Sequence, residues 1–336
     1  MNQIKKKTIL SGVQPSSTPH LGNYLGAIKN WIELQRDFEC FFCTVDLHAI
    51  TVAQEPEKLT EYTYMMTAFY LACGLDPKQS SLFLQSHIPE HAELAWVLNC
   101  MSYMGELSRM NQFKDKSQKQ GGENISMGLF AYPVLQAADI LLYQADLVPV
   151  GEDQKQHIEL TRNLALRFNN RFKKNTFTLP EPLIKKEGGR IMDLQEPTAK
   201  MSKSAKSLAG VVFFDDSDKE ISKKFKTAMT DSATYIDPEN ASEGIRNLVE
   251  IMALISNKPM EALWEEYRGK MYGYLKKDLA EAAVGLIAPI RNKALEIVQD
   301  KEYIRKILQE GEIKARVRAQ QTLKNVYECV GFISKF

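Results

Sequence analysis

Short apolar runs alternate with longer amphipathic segments in the first half of the chain. The runs have the length of β-strands and lie at residues 8–10, 40–45, 81–85 and 147–150. Residues 56–73 carry apolar side chains at helical spacing, and Gly74 supplies a helix stop. From Lys7 to about Phe172 this alternation predicts an α/β fold, in which parallel strands are joined by crossover helices.

Strand-like runs end near Asp216, and only helical periodicity follows. Apolar residues recur at helical spacing over 243–256, 272–299 and 313–330, with charges on the opposite side. Between the halves, residues 180–206 are rich in proline, glycine and lysine, which predicts mobile connecting loops. We therefore expect an α/β domain over 1–205 and an all-helical domain over 206–336.

Composition indicates a globular protein of enzyme size. The 336 residues correspond to about two domains, and 44% hydrophobic with 25% charged residues excludes a disordered or collagen-like chain. No apolar run reaches the ~18 residues of a membrane span. The run after the lysines at 5–7 is too short for a secretory signal. We expect a cytoplasmic protein without a membrane partner.

Cysteine and charge narrow the possible partners. Five cysteines suit a reducing compartment and give no disulfide framework. Cys40 and Cys43 form a C-x2-C pair, but in a strand their sulfurs would point to opposite faces, so we expect structural cysteines and no metal site. With a net charge of +1, nucleic-acid binding must use local basic patches.

The first predicted strand leads into a turn suited to a nucleotide. A helix N-terminus beyond a parallel strand offers free N–H groups and a positive dipole to phosphate. His20 and Asn23 lie one helical turn apart there, and Gly22 permits close approach. The G-x-G-x-x-G of nicotinamide dehydrogenases is missing from this turn. A helix N-terminus with a surface histidine is the alternative interpretation.

A second candidate is the loop Lys200-Met201-Ser202-Lys203-Ser204. Its ammonium groups can follow a migrating phosphate, and its serines add hydroxyl donors. A solvated basic linker is the alternative. Together, this loop and the His20-x-Gly22-Asn23 turn resemble the KMSKS and HIGH motifs of class I aminoacyl-tRNA synthetases, and KMSKS matches letter for letter.

Further blocks resemble bacterial-type tryptophanyl-tRNA synthetase within that class. They lie at residues 12–16, 22–24, 46–51, 105–107, 111–114, 137–143 and 148–157, with looser likeness at 230–232 and 269–273. The sister family, tyrosyl-tRNA synthetase, shares the architecture but not this set. The resemblance implies a Rossmann-like catalytic domain and a helical domain that binds the tRNA anticodon.

The resemblance also implies the reaction. L-tryptophan reacts with ATP to give tryptophanyl-AMP and pyrophosphate, and the tryptophanyl group then passes to the 3′ end of tRNA(Trp). The family is a homodimer, and Mg²⁺ accompanies ATP. Positioning and charge stabilisation suffice for such a transfer, so we expect no general base.

Residue roles follow from the same resemblance. The expected catalytic residues are His20, Lys116, Lys200 and Lys203; the histidine would face the phosphates and the lysines would bind the leaving pyrophosphate. Asp153 would accept a ribose hydroxyl; its alternative role is to cap the helix over 154–172, and the two roles are compatible. The backbone of Ile191 would meet adenine. The expected ATP-binding residues are Gln14, Pro15, Ser16, Gly22, Asn23, Gly151, Glu152, Asp153, Ile191, Lys200, Met201, Ser202, Lys203 and Ser204.

Polar residues recur along one side of a helix that we expect to begin at Pro133: Tyr132, Gln136, Asp139 and Tyr143. A solvated outer face is the alternative. The resemblance instead makes Asp139 the acceptor of the indole N–H, which can only donate. Gln136 stands where the family commonly has methionine. The expected tryptophan-binding residues are His48, Gln112, Tyr132, Gln136, Asp139, Val148 and Val150.

Two basic clusters in the helical half are candidates for contact with tRNA. Their members are Lys223, Lys224 and Lys226, and Lys314, Arg316 and Arg318. A solvated face is the alternative for each.

Two other functions stay open: a nucleotidyltransferase with an HxGH-like motif, and a silent paralogue that only binds RNA. The first would lack the helical half and the basic loop, and the second would be expected to lose a motif residue.

Overall fold

A five-stranded parallel sheet forms the centre of the first half of the molecule. The computed structural model describes residues 6–119, 125–184, 190–203, 205 and 207–333. The strands are β1 (Thr8–Val13), β2 (Glu39–Thr44), β3 (Ser80–Leu84), β4 (Leu147–Pro149) and β5 (Glu181–Leu183). Their order in the sheet is β3-β2-β1-β4-β5: successive strands are added on one side of β1 up to β3 and on its other side from β4, so the strand order reverses between β1 and β4. The predicted α/β class is confirmed, and the ligand crevice of such a sheet lies beyond β1 and β4.

The strand β5 lies within the segment that we predicted to be a connecting loop. It pairs in parallel with β4, with Pro182 opposite Val148. Proline breaks a strand pattern because it cannot donate a ladder hydrogen bond, but an edge strand pairs on one side only and tolerates it. The loop prediction is therefore wrong for Glu181–Leu183.

Helices flank the sheet in this half. After β1, the chain forms α1 (Leu21–Asn23), a π-helical turn (Tyr24–Ile28) and α2 (Lys29–Leu34). Gly74 ends the helix over Pro56–Cys73 in the left-handed conformation, with φ of 105°, as the sequence predicted. The other helices are α3 (Asp46–Ala49), α4 (Pro56–Cys73), α5 (Glu90–Asn99), α6 (Met104–Leu107), α7 (Asn111–Lys119), α8 (Met127–Leu142) and α9 (Lys155–Phe172).

Among the described residues after Asp216, the second half forms helices and no strand, and residues 227–242 connect the first two of these helices. Two helices have the predicted bounds, whereas the last begins at Lys301 rather than at residue 313. It begins earlier because Asp300 accepts the backbone N–H of Tyr303 and caps it. The helices are α10 (Asp218–Lys226), α11 (Glu243–Ser256), α12 (Met260–Tyr267), α13 (Tyr272–Gln299) and α14 (Lys301–Val330).

The last two helices pack directly on the first half. Helix α13 lies against α4, and α14 lies against β3 and α5. A Cβ on Gly311 would come within 1.9 Å of the carbonyl oxygen of Leu82, so only glycine lets α14 cross the strand this closely. The apolar core on one face of the sheet includes Phe42 from β2 and Leu275 from α13.

The two cysteines of the C-x2-C pair are structural, as predicted. Cys40 packs into the core on one face of the sheet and Cys43 into the core on the other. Burial raises the pKa of both thiols, which keeps them protonated and unreactive.

Among the residues that the structure describes, no helix is long and apolar enough to cross a membrane.

Candidate active site

His20 is held at the carboxyl end of the central strand. Its backbone N–H donates to the side chain of Asn23 at 3.1 Å, which fixes the start of α1. It also forms an antiparallel bridge with Phe213, and Leu21 N donates to the carbonyl of Val212 at 2.8 Å. His20 is only 7% exposed, so the surface-histidine alternative is wrong.

Gly22 allows the two signature motifs to meet. A Cβ at this position would lie 3.1 Å from the ring of His20 and 3.6 Å from Cβ of Met201. Met201 is buried, and its N–H donates to the carbonyl of Ile191 at 2.9 Å. Met201 therefore anchors the lysine loop, residues 200–204, beside α1. The carbonyl of Ile191 accepts the hydrogen bond that holds this anchor.

The two lysines of the loop contact the turns on either side of the crevice beyond β1 and β4. Lys203 donates through Nζ to the carbonyl of Ser16 at 3.0 Å and to its hydroxyl. Lys200 Nζ lies 4.0 Å from Asp153 Oδ1 on the other side of the crevice. Ser202 is half-buried. Ser204 and the side chain of Lys116, which lies on α7, fall outside the described part of the structure.

The turn after β4 forms the opposite wall of the crevice. Glu152–Gln154 is a single 3-10 turn, and a Cβ on Gly151 would lie 2.7 Å from Asp153 Oδ1. Glycine therefore lets the Asp153 carboxylate fold back toward the crevice. Helix α9 takes Gln154 as its N-cap without a side-chain cap, so the capping alternative for Asp153 is wrong.

The helix that carries Asp139 begins at Met127 and not at Pro133. Ser126 Oγ accepts the N–H of Leu129 and caps it, and Pro133 lies inside the helix. Tyr132 and Asp139 are both buried, and Gln136 is half-buried. The solvated-face alternative is therefore wrong for this side of the helix.

Asp139 is the most constrained ionisable group of the site and is only 4% exposed. Its Oδ1 lies 2.7 Å from Gln85 Nε2 and 2.6 Å from His91 Nδ1, and its Oδ2 lies 2.8 Å from His48 Nε2. Burial raises the pKa of Asp139, but the hydrogen bonds and charge of His48 and His91 outweigh it and hold that pKa below its usual range. The carboxylate is therefore ionised and only accepts, so both imidazoles donate to it.

Polar contacts run to the turn after β4 from Tyr132, whose ring lies edge-on to that of His48 with centroids 6.3 Å apart. Tyr132 donates from its hydroxyl to Gln112 Oε1 at 3.3 Å, and Gln112 Nε2 donates to Asp153 O at 3.2 Å and to its Oδ2 at 3.3 Å. Gln136 Nε2 donates to Gln154 Oε1 at 3.4 Å. Val148 is buried in β4, and Val150 is half-buried just after it. The two expected subsites are thus contiguous.

This geometry matches known proteins along almost the whole chain. The family model of class I tRNA synthetases for tryptophan and tyrosine matches residues 2–288. The tryptophan–tRNA ligase of Clostridium tetani is 50% identical over 328 residues, which cover 98% of this chain and 96% of that protein. The chain belongs to the tryptophanyl-tRNA synthetase family. The predicted resemblance is confirmed.

Solved structures of tryptophanyl-tRNA synthetases have the same fold as this chain. The tryptophanyl-tRNA synthetase from Mycoplasma pneumoniae superposes with a TM-score of 0.90 at 40% identity, and the match covers 98% of this chain and 99% of that one. The enzyme from Campylobacter jejuni, complexed with ADP and tryptophan, superposes with a TM-score of 0.82 at 36% identity, covering 97% and 100% of the two chains.

Sequence reasoning missed two polar residues of the synthetase site. Gln85 and His91 both bind Asp139, and neither belongs to a motif that we singled out. Gln85 comes directly after β3, at the edge of the sheet where ligands bind, and this position was a usable signal. His91 lies on α5, and no local pattern marks it.

One of the predicted basic clusters of the synthetase is a packing interface. Lys314 donates to the carbonyl of Pro77, Arg316 donates to that of His87, and Arg318 pairs with Glu39 at 2.8 Å. These contacts dock α14 on the first half. In the other cluster Lys224 pairs with Asp216, which leaves Lys223 and Lys226 as the exposed members.

The environment of His20 predicts a dependence of stability on pH. Burial, with smaller contributions from Lys200 and Lys203, lowers the pKa of His20 from 6.5 to about 4. Between these values the unfolded chain binds a proton that the native state does not, so stability falls as the pH decreases from 6.5 toward 4. From pH 7.5 to pH 5, we expect wild type to lose about 2 kcal/mol more than His20→Asn.

Urea unfolding of both proteins at the two pH values measures this difference. The other histidines are shared, so their contributions cancel in the comparison. Equal losses in the two proteins would mean that His20 titrates in the folded state as it does in the unfolded chain.

Proposed function

We propose that this chain activates L-tryptophan with ATP and transfers the tryptophanyl group to the 3′ end of tRNA(Trp). One observation carries the proposal: a buried, ionised Asp139 lies beside a crevice whose opposite edge is lined by the lysine loop. The carboxylate accepts an indole N–H, and the crevice accepts a triphosphate. The polar chain from Tyr132 to Asp153 supports two adjacent substrate sites.

In the activation step, the carboxylate of tryptophan attacks the α-phosphorus of ATP in line. A new carboxyl-oxygen-to-phosphorus bond forms as the bond to the bridging oxygen breaks, and pyrophosphate leaves with its electron pair. Lys200 and Lys203 stabilise the charge that develops on the leaving group. His20 is neutral at physiological pH, so it contributes a hydrogen bond rather than a charge.

Mg²⁺ accompanies ATP in this proposal. Within the described ranges, no group of three or more histidine, cysteine or acidic side chains could hold a metal ion. Mg²⁺ needs no protein cage in such a reaction, because phosphate oxygens and water supply most of its ligands. The lysines and the ion then share neutralisation of the triphosphate.

Exchange of labelled pyrophosphate into ATP tests the proposal directly. We expect exchange that depends on tryptophan and is weak with tyrosine or phenylalanine. A nucleotidyltransferase for another acid would give no exchange with any of the three. A silent RNA-binding paralogue would give none either, but would bind tRNA.

We propose that the helical part, residues 206–336, binds the anticodon while residues 1–205 carry out catalysis. Helix α10 supports this division, because its exposed lysines lie on one face at helical spacing: Lys219, Lys223 and Lys226. Such a row can bind the phosphates of an RNA backbone without touching the activation site.

Removing this row should separate the two activities. The triple variant Lys219→Ala, Lys223→Ala, Lys226→Ala should keep the rate of pyrophosphate exchange within about twofold. Its aminoacylation KM for tRNA should rise roughly tenfold or more at low salt, because about three phosphate contacts are lost. Equal loss of both activities would contradict the division of labour. The matched control is Lys277→Ala on α13, whose side chain is exposed and pairs only loosely with Glu281.

We further propose that the enzyme acts as a cytoplasmic homodimer. Exposed apolar side chains on and before α5 and α6 support the dimer: Trp96 is 68% exposed, and Tyr103 and Met104, which follow it closely in the sequence, are also exposed. Monomers rarely expose such a cluster without a partner. Trp96→Glu should shift the sedimentation coefficient from that of a dimer to that of a monomer, and an unchanged dimer would place the interface elsewhere.

A further inference from the structure

The carboxylate of Asp139 is the end of a buried relay that begins at a tyrosine. The hydroxyl of Tyr143 lies 2.8 Å from His91 Nε2, and His91 Nδ1 lies 2.6 Å from Asp139 Oδ1. Tyr143 and His91 are both fully buried. Neither can touch a substrate in the crevice, so any role in the reaction must pass through Asp139.

The contact with Asp139 fixes one proton of the relay. Asp139 is ionised and only accepts, so His91 must carry a proton on Nδ1. The other ring nitrogen, Nε2, lies within hydrogen-bond distance of the Tyr143 hydroxyl, which fixes the orientation of the ring. Burial raises the pKa of Tyr143, which keeps this hydroxyl protonated. Stacking of the tyrosine ring on Phe41, with centroids 4.8 Å apart, fixes its position.

The donors are distributed unevenly over the two carboxylate oxygens. Oδ1 accepts from both His91 and Gln85, which fills its two lone-pair directions. Oδ2 accepts only from His48 among the residues that the structure describes. The remaining lone pair of Oδ2 is therefore the acceptor that this shell leaves for a ligand.

We propose that His91, locked by Tyr143, is a specificity-determining positioning residue that holds the Asp139 carboxylate so that Oδ2 receives the indole N–H of tryptophan. The inference rests on the proposed function, because it needs tryptophan as the substrate. Without His91, Oδ1 has one donor instead of two, and the carboxylate rotates more freely about its Cβ–Cγ bond. A hydrogen bond to a rotating acceptor loses directionality, and discrimination falls with it.

The test compares tryptophan with an analogue in which sulfur replaces the indole nitrogen, β-(3-benzothienyl)alanine. This analogue keeps the shape of the substrate but has no N–H to donate. In His91→Leu, kcat/KM of pyrophosphate exchange should fall roughly tenfold or more for tryptophan and less than about threefold for the analogue. His91→Asn, whose amide can still donate to Oδ1, should restore much of the preference.

Tyr143→Phe supplies a second variant that keeps the packed ring and removes only the hydroxyl. It should lower the ratio of kcat/KM for tryptophan over the analogue roughly threefold, because the His91 ring then loses the hydrogen bond at Nε2 that holds its orientation. This variant carries the test if His91→Leu fails to fold, as judged by its thermal unfolding.

Two outcomes would overturn the inference. Equal loss for both substrates in folded His91→Leu would mean that His91 is only structural. An unchanged substrate ratio in both His91→Leu and Tyr143→Phe would mean that the relay does not position Asp139. Failure of the proposed function looks different, because wild-type enzyme would then show no exchange with tryptophan.

Discussion

Replacing Asp139 with alanine should remove most of the preference for tryptophan over phenylalanine, a loss of up to ~10⁴ in the ratio of the two kcat/KM values. In the wild type, phenylalanine leaves a buried, ionised acceptor without its ligand donor, and that desolvated charge is costly. The alanine variant has no such acceptor and cannot penalise the missing N–H. Pyrophosphate exchange with both amino acids measures the ratio.

The KM for ATP should change little in this variant, because the nucleotide contacts lie on other loops. Asp139→Asn is the matched control, since it keeps the volume and one acceptor oxygen but loses the charge. We expect it to fall between wild type and alanine. If Asp139→Ala kept its preference for tryptophan, the acceptor would have to be sought at Tyr132 or Gln136.

Replacing Lys203 with alanine should lower the rate of tryptophan activation by roughly 10²-fold or more, on the scale of losing one preorganised electrostatic donor. The ammonium group of Lys203 is tied to Ser16 in the turn after β1, so the structure brings it to the phosphate side of the crevice. Burial lowers the pKa of Lys203, which indicates a partly desolvated ammonium group with stronger electrostatic interactions than one in water.

Single-turnover formation of tryptophanyl-AMP separates this effect from ATP binding. The rate constant should fall while the Kd of ATP changes by less than about tenfold, because the charge develops mainly in the transition state. Lys258→Ala, at an exposed ion pair with Glu266, is a control that should leave the rate unchanged. If Lys203→Ala behaved like this control, the loop would be the solvated basic linker.

Much of the nucleotide site follows from local sequence, because its parts are short and contiguous. The turn from Gln14 to Asn23 and the turn from Gly151 to Asp153 each follow a strand. Parallel strands deliver their carboxyl ends to one edge. Pattern and motif therefore predicted these two walls, and the structure places both at the point where the strand order reverses. Gly22 is needed for a close approach that the sequence predicted, and Gly151 for one that only the structure shows.

Other features depend on neighbours that are distant in the sequence. In the sequence, Pro182 predicts a loop. In the structure it lies on the edge strand β5, which pairs only with β4 and so tolerates a residue without a backbone N–H. The sequence predicts an exposed basic patch at Lys314, Arg316 and Arg318. In the structure, the first half of the chain supplies a hydrogen-bond acceptor for each of them. A charge pattern cannot distinguish a free patch from an interface, because the partners lie more than 200 residues away.

The sequence by itself determined the family and the α/β class, because motifs and periodicity are local properties, and the family resemblance singled out Asp139 as the expected acceptor of the indole N–H. The tertiary structure decided the state of that acceptor. Asp139 is ionised and oriented because α3, the turn after β3 and α5 bring His48, Gln85 and His91 to it across 48 to 91 residues of sequence. Burial makes those long-range donors necessary, since an unpaired carboxylate in an apolar core would take up a proton instead.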